Sequence, residues 1–121
     1  MKSRIFKGFG SKKPFVMPCF ALVTDLFFKA KIAETGKQAG VEVVFAKTAG
    51  EIFGAGQAIV DLEKFGAKAV LAVKKQNPDA KIVGYLSHVQ VELKKQVLEN
   101  GCDLVRAKSE FSKRLADLLI K

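Results

Sequence analysis

The sequence predicts an α/β protein: a doubly wound parallel sheet of five strands in the order 2-1-3-4-5, with a shortened second helix. Three observations carry that prediction. Short apolar runs alternate with helix-period segments five times along the chain, and such alternation builds βαβ units. The runs are continuously apolar, as strands buried on both faces are. Two of them, FALVTDL and AIVDLEK, lead straight into acids, Asp25 and Asp61, where the chain leaves the core.

Residues 1–18, MKSRIFKGFGSKKPFVMP, read as a basic extension before the folded unit, 19–121. They hold five of the chain's 21 basic residues and none of its 12 acidic ones. Much of the net charge of +9 therefore belongs to a tail that could touch nucleic acid, an anionic surface or an acidic partner. A solvated, partly ordered terminus is the plain alternative, although Phe6, Phe9 and Phe15 suggest that part of it packs on the body.

The first strand is CFALVT, and FFKAKIAETGKQAG is the first helix, closed by Gly40. VEVVF, 41–45, is the second strand. TAGE, from Thr48 to Glu51, has capping-box spacing, but Gly54 and Gly56 leave room for one or two helical turns at most. AIV, 58–60, is the third strand, and GAKAVLAVKKQN, 66–77, is a helix stopped by Pro78. KIVGYL, 81–86, is the fourth strand. SHVQVELKKQVLEN places Ser87 and Gln90 in capping-box spacing and ends at Gly101. CDLVRA is the fifth strand, and SEFSKRLADLLIK is an amphipathic helix with Phe111, Leu115, Leu118 and Leu119 on one face.

Composition narrows the function classes. A chain of 121 residues, 49% hydrophobic, suits one domain with a real core. No apolar run approaches the ~18 residues of a membrane span, and the N-terminus lacks the apolar stretch and cleavage site of a signal peptide. A cytoplasmic protein without membrane contact is expected. Cys19 and Cys102 form neither a disulfide framework nor a metal-ligand spacing and read as buried thiols. His88, the only histidine, has no partner for a catalytic triad and reads as a surface residue. No GxGxxG or P-loop follows the first strand, which argues against a nucleotide-binding enzyme. Lys94-Lys95 and Lys113-Arg114 make basic patches, but aromatic interleaving and a helix-turn-helix pattern are missing.

In doubly wound sheets, ligand sites gather outside the carboxyl ends of the strands. Asp25 follows the first strand, Asp61 the third, Ser87 the fourth, and Lys108 lies just past the fifth. All four are expected to meet at one edge. Each also has an ordinary structural role: an acid near a helix start for Asp25, a loop or helix-flanking acid for Asp61, an N-cap paired with Gln90 for Ser87, and a solvated lysine for Lys108. Tyr85, at a strand end, reads equally as a rotameric switch or plain core.

On the segments DLFFKAKI, AIVDL, YLS and GCDLVRAKSEF, the chain from about residue 19 onward resembles a response-regulator receiver domain, a flavodoxin-like fold. The resemblance implies that Asp61 is the phospho-acceptor, that Ser87 is the switch hydroxyl and that Lys108 contacts the phosphoryl group. It further implies Mg²⁺ held by Asp25, Asp61 and the carbonyl of Glu63, and a sensor kinase or other signalling protein as partner. The protein would be a signalling module, not an enzyme. With no output domain after residue 121, its effects are expected to pass through protein contacts.

Several positions depart from the family pattern. The usual pair of acids after the first strand is Thr24-Asp25, so a carboxylate is missing and Mg²⁺ binding should be weak. LEKFG after Asp61 is short and lacks the usual proline, and Ser109 stands where a proline usually follows the lysine. These changes point to a divergent receiver. The alternatives are a phosphorylation-independent pseudo-receiver scaffold and a basic nucleic-acid-associated protein.

Overall fold

The computed structural model describes residues 17–87 and 90–119. Five parallel strands form one sheet in the order β2-β1-β3-β4-β5: β1 (Cys19–Leu22), β2 (Val43–Phe45), β3 (Gln57–Asp61), β4 (Lys81–Leu86) and β5 (Leu104–Ala107). This is the predicted architecture and order. Helices cover both faces, namely α1 (Leu26–Ala39), α2 (Leu62–Gln76), α3 (Val91–Glu99), α4 (Lys108–Lys113) and α5 (Leu115–Leu119).

The apolar runs are continuous because successive strand residues feed two separate cores. Ala58, Val60, Ile82 and Leu86 pack with Leu62, Val70, Val73 and Val97 under α2 and α3. Ile59, Val83 and Tyr85 pack with Phe28, Ile32, Phe111, Leu115 and Leu119 under α1, α4 and α5. The parity places Asp61, two residues after Ile59, on the side of Tyr85 and Phe28.

Where a second helix would ordinarily cross back, the chain makes one 3-10 turn, Ala49–Glu51, within the predicted limit of two turns. The capping box is not made: Thr48 gives no side-chain cap, and Glu51 Oε1 accepts from the amide of Lys47, one residue before the cap, at 2.9 Å. Side chains replace the absent helix. Ile52, Ala46 and Ala55 are buried, and Asn77 pins the strap with donation to the Ile52 carbonyl at 2.9 Å and acceptance from the Ala55 amide at 3.0 Å.

Three local expectations need correction. LEKFG is not an open loop: α2 begins at Leu62, immediately after Asp61, and Gly66 breaks it with φ 75° and ψ −175°, a left-handed backbone that suits glycine. Ser87 caps nothing, because α3 starts at Val91 behind Gln90, which itself makes no side-chain cap. The last helix is interrupted at Arg114, although Phe111, Leu115 and Leu119 share the buried face as expected. The readings of His88 and of residues 1–16 lie outside the described residues.

Candidate functional site

Asp25 sits between β1 and α1 with extended backbone, and its Oδ1 accepts from the Phe28 amide at 3.1 Å. It is the N-cap of α1, a role that short acids fill well because they satisfy an orphan amide. Its other oxygen, Oδ2, accepts from Lys108 Nζ at 3.2 Å. Lys108 comes from the far side of the sheet, as the first residue of α4 after β5, and its ammonium also stands 5.1 Å over the Phe28 ring. The Phe28 amide first, and then the Lys108 ammonium, hold the Asp25 carboxyl below the usual carboxylate range. The pair is partly exposed, so its worth to stability is modest.

Asp61 ends β3 and caps α2, with Oδ1 accepting from the Lys64 amide at 3.2 Å. In register it stands opposite Tyr85 of β4, whose phenol is raised above its ordinary value by burial first and then by the Asp61 charge. Glu63, in the first turn of α2, is exposed and adds a smaller influence on the same phenol. Ser87, exposed at the end of β4, lines an open depression with Phe28, Lys108, Ser109 and Ser112.

The edge therefore divides into two neighbouring groups. Asp25 and Lys108 form one ion pair with Ser87 beside the lysine, and Asp61 faces Tyr85 on the same side of the sheet. Both carboxylates bear on the Tyr85 hydroxyl, Asp61 more strongly than Asp25.

The donors here are all oxygens, which suits a hard dication, but they are committed elsewhere. Asp25 gives both oxygens to protein donors and Asp61 gives one. Among the described residues no cluster of three histidine, cysteine or acidic side chains is gathered to hold a metal ion.

Sequence reasoning passed over Phe28 and Ser112 and gave Phe111 only a place on the apolar face of the last helix. Phe28 and Phe111 enclose Tyr85, with ring centroids 4.8 Å and 5.2 Å from it. Their signal is faint: Phe28 lies three residues past Asp25, and Phe111 and Ser112 three and four past Lys108, the spacings that share a helix face. The thiols add no nucleophile. Burial pushes Cys19 up to about 12 and raises Cys102 as well, leaving both protonated near neutral pH.

No family model and no curated protein matches the chain. Solved structures do. A response regulator protein from Burkholderia pseudomallei, crystallised with a phosphorylated aspartic acid, a calcium ion and citrate, is similar at 18% identity with a TM-score of 0.73. The match covers 86% of this chain and 66% of that one. A response regulator from Thermotoga maritima is similar at 15% identity and a TM-score of 0.69, over 87% of this chain and 98% of that one. An orphan response regulator of H. pylori gives 13% and 0.68, over 87% and 97%. At these identities the likeness establishes the fold alone: this chain has the fold of response-regulator receiver domains. No helix among the described residues is long and apolar enough to cross a membrane.

Proposed function

We propose that this chain is a divergent receiver-like signalling module, not an enzyme. Asp61 stands at the phospho-acceptor position, phosphoryl transfer to it is impaired, and the output passes through contacts with a sensor kinase or another signalling protein in the cytoplasm. The observation that carries this reading is the Lys108–Asp25 pair at 3.2 Å, drawn from β5 and β1 to the carboxyl edge where Ser87 and Asp61 also emerge. An ammonium at that edge is what a phosphoryl group arriving on Asp61 would need, and Ser87 adds a hydroxyl donor beside it.

Two features argue for impairment. Thr24 takes the place of an acid, so the charge available to hold Mg²⁺ is low and any binding by Asp25, Asp61 and the Glu63 carbonyl is weak. Asp61 is tied to the first turn of α2, where an open loop would leave it free. Phosphoryl transfer depends almost wholly on placed charge, so these losses act on the same barrier. Contact with a partner does not need that chemistry. Leu26 and Phe27 stand 76% and 90% exposed immediately after Asp25, offering apolar surface beside the site.

The test is incubation with a small phosphodonor and Mg²⁺, followed by intact mass. Slow labelling is expected. Rapid stoichiometric addition of one phosphoryl group, lost in Asp61→Asn, overturns the impairment. The capping role of Asp61 favours the phosphorylation-independent scaffold as the second reading. Its mark is a complete absence of labelling together with partner binding that survives Asp61→Asn, since asparagine caps a helix as well as aspartate does.

A further inference from the structure

Tyr85 is the chain's only tyrosine, and nothing in the chemistry above employs it. It stands in β4 directly across from Asp61 in β3 and is 2% exposed. Phe28 meets its ring edge-on at 4.8 Å, and Phe111 stacks on it at 5.2 Å with an interplanar angle of 22°. Wedged between them, the ring cannot swing aside, so the direction of the hydroxyl is set by packing. That hydroxyl is the one buried side-chain polar atom among the described residues that makes no hydrogen bond.

Buried donors are almost always satisfied, and one left unmade costs free energy that a small side-chain movement can recover. Three acids bear on this phenol: Asp61, then Asp25, then Glu63. Asp25 has given both oxygens away, to the Phe28 amide and to Lys108. Asp61 has given Oδ1 to the Lys64 amide, and its Oδ2 accepts no hydrogen bond among the described residues.

We propose that Tyr85 is a positioning residue for Asp61. Its hydroxyl donates to Asp61 Oδ2, directly or through one water, and with the Lys64 amide it clamps the carboxylate between β3 and the first turn of α2. A phenol's ordinary pKa of ~10 keeps it a donor throughout the physiological range. The functional side of the inference rests on Asp61 as phospho-acceptor: a carboxylate held by two internal donors must loosen one of them to present an oxygen to phosphorus.

The test uses the full-length protein with Tyr85→Phe, which removes the oxygen and keeps the ring, alongside Asp61→Asn and Asp25→Asn. In proton NMR in water, a slowly exchanging hydroxyl proton is expected that disappears in Tyr85→Phe, shifts or is lost in Asp61→Asn, and stays in place in Asp25→Asn. With no tryptophan in the chain, tyrosine emission reports on Tyr85 alone and should rise in Asp61→Asn as the carboxylate quencher is removed. No protected hydroxyl proton, or one indifferent to Asp61→Asn, overturns the contact. A Tyr85→Phe labelling rate equal to that of wild type, at equal folded fraction, overturns the positioning role. A wild-type protein that accepts no phosphoryl group defeats the phospho-acceptor reading, while the hydroxyl proton still decides the contact.

Discussion

Asn77→Ala is expected to cost this protein more stability than most single changes, because Asn77 holds the strap that stands in for a helix. The side chain is 5% exposed, and it joins three backbone groups at 2.9–3.0 Å: the Ile52 carbonyl, the Val73 carbonyl and the Ala55 amide. Alanine removes all three bonds at once. The Val73 carbonyl keeps the Asn77 backbone amide at 2.8 Å and is not orphaned. The Ala55 amide and Ile52 carbonyl are orphaned beside buried side chains. At roughly 1–3 kcal/mol for each buried group left unmade, and with some relief from entering water, the loss is about 2–4 kcal/mol. That is a large part of the ~5–15 kcal/mol that stabilises a typical domain. Urea unfolding followed by circular dichroism should show an unchanged slope and a midpoint lowered by roughly 1–2 M, for a slope near ~2 kcal/mol/M. Hydrogen exchange should show the Ala55 amide losing its protection. A loss below about 0.5 kcal/mol, inside the range of ordinary surface substitutions, refutes the claim that this side chain holds the strap.

Three further outcomes follow from other parts of the molecule. Gly84→Ala should destabilise by about 1–3 kcal/mol, because its Cβ would lie 2.6 Å from Leu62 Cδ1 and 2.7 Å from Cγ. A double-mutant cycle with Leu62→Ala should recover part of that loss, and strict additivity would refute the clash. The Asp25 carboxyl is held below its ordinary value of about 3.9, so its contribution to stability is present above that pH and disappears as pH falls through the depressed value. The stability gap between wild type and Asp25→Asn should therefore narrow on acidification, and a gap constant from neutral pH to about pH 2 would contradict it. Thr24→Asp should raise Mg²⁺ affinity by adding a carboxylate beside Asp25. Calorimetry showing tight binding in the unmodified protein, unaltered by the change, would sink that expectation.

The sheet was legible because its signals are local and redundant. Each strand is a continuous apolar run, and each long helix carries a 3.6-residue pattern with a stop such as Gly40 or Pro78. The absent crossover helix was legible too, since Gly54 and Gly56 follow the Thr48–Glu51 turn too closely for more. What replaces it was not. Asn77 reads in sequence only as the residue before a proline, because bonds spanning 22 and 25 residues leave no periodic trace. Spacing misled at Ser87 and Gln90, where capping-box separation says nothing about where the helix begins. Asp25 and Lys108 lie 83 residues apart, and only the rule that strand ends share an edge brings them together. The facing of Asp61 and Tyr85 depends on the β3–β4 register, which the sequence alone does not state.

The structural and chemical demands on this protein meet at Asp61. Gly84 has no side chain, so Leu62 can lie close against β4, which brings the helix start directly behind β3. That leaves Asp61 as the residue that must satisfy the first orphan amides, and it does so through Lys64. Gly66 then re-aims the chain so that Val70 and Val73 still reach the core. A carboxylate recruited in this way is well placed and poorly available: a cap fixes one oxygen, and the phenol proposed above as a donor holds the other. A nucleophile needs the opposite, an oxygen free to approach phosphorus with cations gathered around it. Here Lys108, the cation at this edge, is already paired with Asp25 at 3.2 Å. Under the proposed function, the contacts that hold this edge are the ones that slow its chemistry. A rigid edge flanked by exposed Leu26 and Phe27 is, for the same reason, a better surface for a partner than a site for phosphoryl transfer.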